Sequence, residues 1–240
     1  MANQYFQFKE FIVHQDKCGM KVCTDSCLFG AWVASRIESV SLCPKTILDI
    51  GTGTGLLSLM LAQKSNASID AVEIDTNAFE QATENISASP WKERINLFNI
   101  DIKKWNTPLK YDLIISNPPF YENDLLPEDD GRNISKHSAA LNLEQLLFVV
   151  KKLLSNDGMF AVLLPWHRTA VFENLAMQHS LFIKEKLDVR QTTAHNYFRT
   201  ILLFQNHETI TSANEMSIKD DNDQYSTGFR NLLKDYYLHL

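Results

Sequence analysis

From residue 45 onward, short apolar runs alternate with helix-like stretches, and this alternation constrains the fold more than any other feature. The runs are Thr46–Ile50, Ser68–Ile74, Ile95–Ile100, Tyr111–Ser116, Met159–Leu164, Leu181–Asp188 and Arg199–Gln205. Helices are expected at 56–64, 76–87 and 143–154, the second capped by Thr76 or Asn77 and the third stopped by Asn156-Asp157-Gly158. Near-continuous Val/Ile/Leu runs are the pattern of strands buried on both faces. Strand–helix alternation therefore predicts the α/β class, a doubly wound, mostly parallel sheet with helices on both faces. Residues 1–44 read as an N-terminal extension with a helix at 26–37, and 45–205 as the α/β domain. Residues 206–240 read as a polar, acidic tail ending in a short helix over 229–240, most simply a packing arm.

The chain has 240 residues, 45% of them apolar, and a net charge of −6, which is globular and not generally polycationic. No start-proximal apolar segment, no membrane-length apolar run and no spread of cysteines is present, so a cytoplasmic protein with reduced thiols is expected. Cys18, Cys23, Cys27 and Cys43 lack a C-x-x-C knuckle; small, partly buried hydrophobes are expected rather than a metal site.

Thr46-Ile-Leu-Asp49-Ile50 runs straight into Gly51-Thr-Gly53-Thr-Gly55 and then a helix. This strand–glycine loop–helix order suits a nucleotide-like ligand. The spacing is neither the dinucleotide fingerprint nor a P-loop, so a diphosphate is not the expected cargo. Glu73, at the second strand's end, can accept ribose hydroxyls; Asp101, at the third, can accept from an adenine amino group. Asp49 suits a cationic amino-acid group. Three carboxylates would repel phosphate. They describe S-adenosylmethionine, which carries adenosine, a sulfonium and an ammonium but no phosphate.

The fourth run ends in Asn117-Pro118-Pro119-Phe120. Pro118 pushes Asn117 toward extended backbone, and the two prolines stiffen the loop. The Asn117 side-chain oxygen and the Pro118 carbonyl can then act as two acceptors for a flat, conjugated NH2, with the Phe120 ring as a stacking surface. Two acceptors on the amine hydrogens favour pyramidalisation, and alignment with a methyl donor supplies proximity. No strong base is required.

The glycine loop and Asn117 to Phe120 together resemble class I, Rossmann-like methyltransferases that modify exocyclic amino groups. Their sheet has seven strands, the last antiparallel, in keeping with seven runs here. Phe6-Gln-Phe8-Lys9-Glu-Phe11, His14-Gln15-Asp16-Lys17-Cys18-Gly-Met20-Lys21-Val22, Thr24-Asp25, Leu28-Phe-Gly30-Ala31-Trp32, Lys136-His137-Ser138 and Phe198-Arg199-Thr200 resemble the bacterial tRNA1(Val) (adenine(37)-N6)-methyltransferases. The resemblance implies methyl transfer from S-adenosylmethionine to N6 of an anticodon-loop adenine. It places Lys21, Thr24 and Asp25 near the cofactor, makes 1–44 a cap on that site, and sets Asn117 to Phe120 on the target base. Cys23 stands where the family usually has glycine, Cys27 where a small residue is usual, and Phe120 where tyrosine is commoner.

Residues 136–205 carry eight basic and five acidic side chains. Lys136, His137, Arg168, Arg190 and Arg199 are candidates to line the RNA side of the cleft, whereas 121–131 is acidic. The four-residue motif by itself also fits a protein glutamine-N5 or rRNA guanine-N2 methyltransferase. A non-catalytic RNA-binding module would be expected to have lost Asn117 or damaged the glycine loop. A monomer is favoured.

Overall fold

The structure, a computed structural model, describes residues 3–19, 21–39, 42–118 and 141–240. A small antiparallel hairpin comes first, β1 (Tyr5–Gln7) with β2 (Ile12–His14). The main sheet has eight strands: β3 (Thr46–Ile50), β4 (Ser68–Glu73), β5 (Ile95–Asn99), β6 (Tyr111–Ser116), β7 (Leu154–Pro165), β8 (Phe182–Arg190), β9 (Tyr197–Gln205) and β10 (Ser212–Ser217). Their order is β10-β8-β9-β7-β6-β3-β4-β5, and β9 alone runs against its neighbours. The last of the seven expected runs is thus the antiparallel one. The eighth strand is a correction: Ser212–Ser217 pairs parallel with β8 inside the segment read as a tail. Its sequence, Ser-Ala-Asn-Glu-Met-Ser, is polar and mostly exposed, so an edge strand held by backbone pairing leaves no apolar signal.

The helices are α1 (Thr24–Glu38), α2 (Leu56–Lys64), α3 (Thr76–Ser87), α4 (Leu143–Leu153), α5 (Thr169–Gln178) and α6 (Thr227–Leu233). The expected bounds of α2 and α3 match. The cap of α3 is Asp75, whose carboxylate accepts from Ala78 N at 2.9 Å, rather than Thr76 or Asn77. Asn142 and Gln145 close a capping box on α4. Asn156-Asp157-Gly158 does not stop that helix. Leu154 already turns extended, and the triplet lies within β7. Glycine is needed at 158 for another reason: a Cβ there would meet the Tyr111 carbonyl oxygen at 2.8 Å, where the β6–β7 register shifts. The last helix ends at Leu233, well short of 240.

Consecutive strand residues face opposite sides, so each strand feeds two apolar layers. Ile47, Leu113, Ile115, Leu163 and Leu203 point to the layer with α1, α2, α3 and α6. Leu48, Ile114, Phe160, Val162 and Phe204 point to the layer with α4 and α5. Helix α1 is buried without a break from Ser26 to Ala34, which is why its apolar residues show no one-sided stripe. Gly30 lets α1 approach α2 closely, since a Cβ there would lie 2.7 Å from Met60 Sδ.

Both flanking segments share the first layer. Phe8, Phe11 and Val13 enter it from the hairpin, and Phe229, Leu233 and Tyr236 from the end of the chain. Tyr236 Oη donates to Met60 O at 3.0 Å, Lys64 pairs with Asp235 at 2.6 Å, and Phe8 bridges Tyr237. Among the described residues no helix is long and apolar enough to cross a membrane, and no group of three His, Cys, Asp or Glu is placed to hold a metal. None of the four cysteines is in a disulfide; Cys27 is fully buried, and burial pushes its thiol up to about 12.

Candidate active site

The parallel strands end on one edge of the sheet, where such folds hold their ligands. Ile50 pairs with Ser116, and Ser116 Oγ donates to Ile50 O at 2.9 Å. This register sets Asn117 beside the glycine loop that follows β3.

The loop turns on left-handed glycines, with φ of 71° at Gly51, 59° at Gly53 and 82° at Gly55. Gly51 N and Thr52 N both donate to Val72 O, which stitches the loop to the end of β4. Gly53 N donates to Glu73 Oε2 at 2.8 Å, while Asp75 N donates to the other oxygen at 2.9 Å. Glu73 is therefore a buried brace for the loop as well as an acceptor at the strand end.

Asp49 is wholly buried beneath the loop. Thr52 Oγ1 and Ser58 Oγ donate to its Oδ2 at 2.6 and 2.7 Å. Its Oδ1 has no hydrogen-bond partner among the described residues. Burial pushes the carboxyl up to about 6 against the pull of the two hydroxyls, with Glu73 adding to the rise. An unpaired buried acceptor costs on the order of 1–3 kcal/mol, so a cationic or N–H-bearing group reaching it would be stabilised. Asp101 follows β5; its Oδ1 accepts from Lys103 N at 2.9 Å, and Lys103 Nζ lies 3.6 Å from Oδ2.

The N-terminal segment is clipped to this edge. Asn85 of α3 donates through Nδ2 to Thr54 O and His14 O, both at 2.9 Å, and accepts from His14 N. Gln81 accepts from Lys17 N at 2.9 Å, and Gln15 from Val22 N at 2.8 Å. Lys21 is exposed, just before α1; Thr24 and Asp25 form its first turn.

That first turn reaches the end of β6. Asn117 Nδ2 donates to Ser26 Oγ at 2.9 Å, which leaves the amide oxygen as the acceptor. Ser26 Oγ also lies 2.9 Å from Cys23 Sγ. Arg199, expected on the RNA side, donates through Nε to Asp25 Oδ2 at 2.7 Å, so two residues given separate roles form one strut between β9 and α1. Arg168 lies in the short turn after β7, at the start of α5. Pro119, Phe120, Lys136, His137 and the acidic stretch 121–131 lie outside the described residues.

Ser26, Thr52, Ser58 and Asn85 escaped sequence reading. Thr52 lies in the loop and Ser58 in the first turn of the helix after it, a close spacing that is a signal of sorts; Ser26 and Asn85 meet partners 91 and 31 residues away.

Residues 33–161 match the model of the methyltransferase small domain. A tRNA1(Val) (adenine(37)-N6)-methyltransferase of Dyadobacter fermentans is 40% identical over 98% of both chains. The enzyme of that name from Bacteroides thetaiotaomicron is 39% identical over the full length of both. The chain belongs to the tRNA1(Val) (adenine(37)-N6)-methyltransferase family. Solved structures share the family's fold at lower identity. One is a putative class I S-adenosylmethionine-dependent methyltransferase from Listeria monocytogenes, with a TM-score of 0.61 at 16% identity over 85% of this chain and 70% of that one. Another is the T. thermophilus 16S rRNA N2 methyltransferase in complex with AdoMet and guanosine, with a TM-score of 0.60 at 17% identity over 85% of this chain and 50% of that one. The main sheet here has eight strands where seven were expected.

Proposed function

We propose that the chain transfers a methyl group from S-adenosylmethionine to N6 of adenine 37 in tRNA1(Val), a cytoplasmic reaction. The residues fit the donor: an unpaired, buried Asp49 oxygen suits its ammonium group, Glu73 its ribose, Asp101 its adenine amine, and no phosphate is present to oppose three carboxylates. When bound, the donor supplies an electrophilic methyl group on a sulfonium.

The chain's own residues do the rest. Asn117 Oδ1 and the Pro118 carbonyl accept the two hydrogens of the adenine amine. Its nitrogen lone pair, delocalised into the ring, is freed as those hydrogens are drawn from the ring plane. Ser26 engages the Asn117 NH2, so the amide presents oxygen rather than nitrogen to the amine. The nitrogen becomes acidic only once attacked, when it sheds its surplus proton to water and the sulfur departs as a neutral thioether, so no buried base is needed. The adenine must leave its stack to reach the acceptors, at a cost of a few kcal/mol. The hydrogen bond from Asn117 to Ser26 is the observation that carries this reading.

Incubation with labelled donor and tRNA lacking the modification tests it. Label recovered as N6-methyladenosine at position 37 is the expected result. Label confined to guanine N2 or to protein glutamine would overturn it, as would substantial turnover by Asn117→Ala.

A further inference from the structure

We propose that Trp166, Tyr197 and Arg190 form a stacking ledge for the nucleotides next to the target adenine. The inference rests on the tRNA reading above and extends it to how the loop around the target is held.

The placement follows from strand order. Strands β6, β7, β9 and β8 are successive neighbours in the sheet. On the edge that carries the glycine loop, β6 is followed by Asn117, β7 by Trp166, β9 begins at Tyr197 and β8 ends at Arg190. At about 4.8 Å per strand the row spans roughly 15 Å from the acceptor Asn117, a distance that a few nucleotides cover.

The surface has the chemistry that binds unpaired bases. Trp166 is 46% exposed, unusual for the largest apolar side chain. Its ring lies 6.1 Å from that of Tyr197, and the Arg190 guanidinium is 5.5 Å from the Tyr197 centroid. Aromatic faces and guanidinium planes are the usual platforms for splayed bases in RNA loops.

The ledge is also held in place. Glu215 of β10 accepts from Tyr197 Oη and pairs with Arg190 at 3.4 Å, while Arg190 Nε donates to Ser217 Oγ at 3.1 Å. The eighth strand thus acquires a purpose: it fixes the outer two members of the row. A carboxylate at this point disfavours phosphate, so contact is through bases and not through the backbone.

Binding of an unmodified anticodon stem-loop to the full chain tests the ledge through tryptophan fluorescence and steady-state transfer. The expected result is quenching of wild-type fluorescence that disappears in Trp166→Ala. The KM of Trp166→Ala for the stem-loop should rise about tenfold, on the order of one lost base stack. Trp166→Phe should recover most of that loss. Phe148→Ala, which removes an exposed aromatic elsewhere, should leave KM as it was. Wild-type transfer to the stem-loop combined with an unchanged KM in Trp166→Ala would overturn the ledge alone. Absence of wild-type transfer to any RNA adenine would overturn the functional reading itself.

Discussion

The side-chain amide of Asn117 donates to Ser26 Oγ at 2.9 Å, tying the end of β6 to the first turn of α1. A rotating amide would offer NH2 and oxygen to the substrate amine in turn, and only the oxygen can accept from it. Ser26→Ala removes the constraint while leaving Asp49, Glu73 and Asp101 in place. Loss of one hydrogen bond of about 1 kcal/mol predicts a roughly fivefold lower kcat with the donor Kd unchanged. Calorimetry and single-turnover kinetics separate the two; a change confined to donor affinity would contradict the role.

Asp49 should make donor binding depend on pH. Its folded carboxyl titrates at about 6, above the ordinary 3.8. Between those values the folded chain holds a proton that the unfolded chain has released. Without donor, the Asp49 contribution to stability is therefore present at low pH and falls as pH rises through this window. Donor affinity should move the opposite way, strengthening from pH 5 to pH 7 as the carboxylate forms. Titration calorimetry of the wild type and of Asp49→Asn at several pH values checks this: the variant should bind weakly with a flat profile and unfold at higher temperature when free of donor at pH 7.

The Arg199–Asp25 pair lies between exposed and buried, with 34% and 12% of the side chains accessible. Arg199→Ala leaves the Asp25 carboxylate without its partner. A cost of about 1–2 kcal/mol lies between the surface and interior limits, and lowers Tm by roughly 2–8 °C in a chain of this size. A double-mutant cycle with Asp25→Asn measures the coupling; strictly additive losses would mean that the two side chains do not support each other.

Deleting residues 206–240 should cost the fold, not merely a tail. The deletion removes β10 and uncovers the α1–α2 layer where Phe229, Leu233 and Tyr236 are almost fully buried. Circular dichroism and solubility of the shortened chain check this; a cooperative, soluble 1–205 fragment would show that the last segment only decorates the core.

What the sequence disclosed follows local physics. Buried parallel strands and the helices between them carry their signal in consecutive residues, so α2 and α3 appear at their expected bounds. Asp49, Glu73 and Asn117 converge because all sit at strand ends, a position readable from the chain. Four elements were silent: the three-residue hairpin strands β1 and β2, strand β10 and helix α5. Strand β10 is polar and exposed, and α5 carries exposed Val171 and Met177 among its apolar residues, which blurs its helical period. Contacts that depend on distant folding were silent too. Arg199 reads as a cation for RNA, yet its partner Asp25 lies 174 residues away. No local pattern reveals that Ser26 will meet Asn117.

The bridge between Phe8 and Tyr237 has a consequence for how the molecule is made. A ribosome delivers the hairpin well before its clasp, so α1 and α2 keep greasy surface uncovered until the clasp emerges. Until residue 237 clears the exit tunnel, the nascent chain is a candidate for chaperone capture, and a stalled transcript would yield an aggregating product rather than a partly working one.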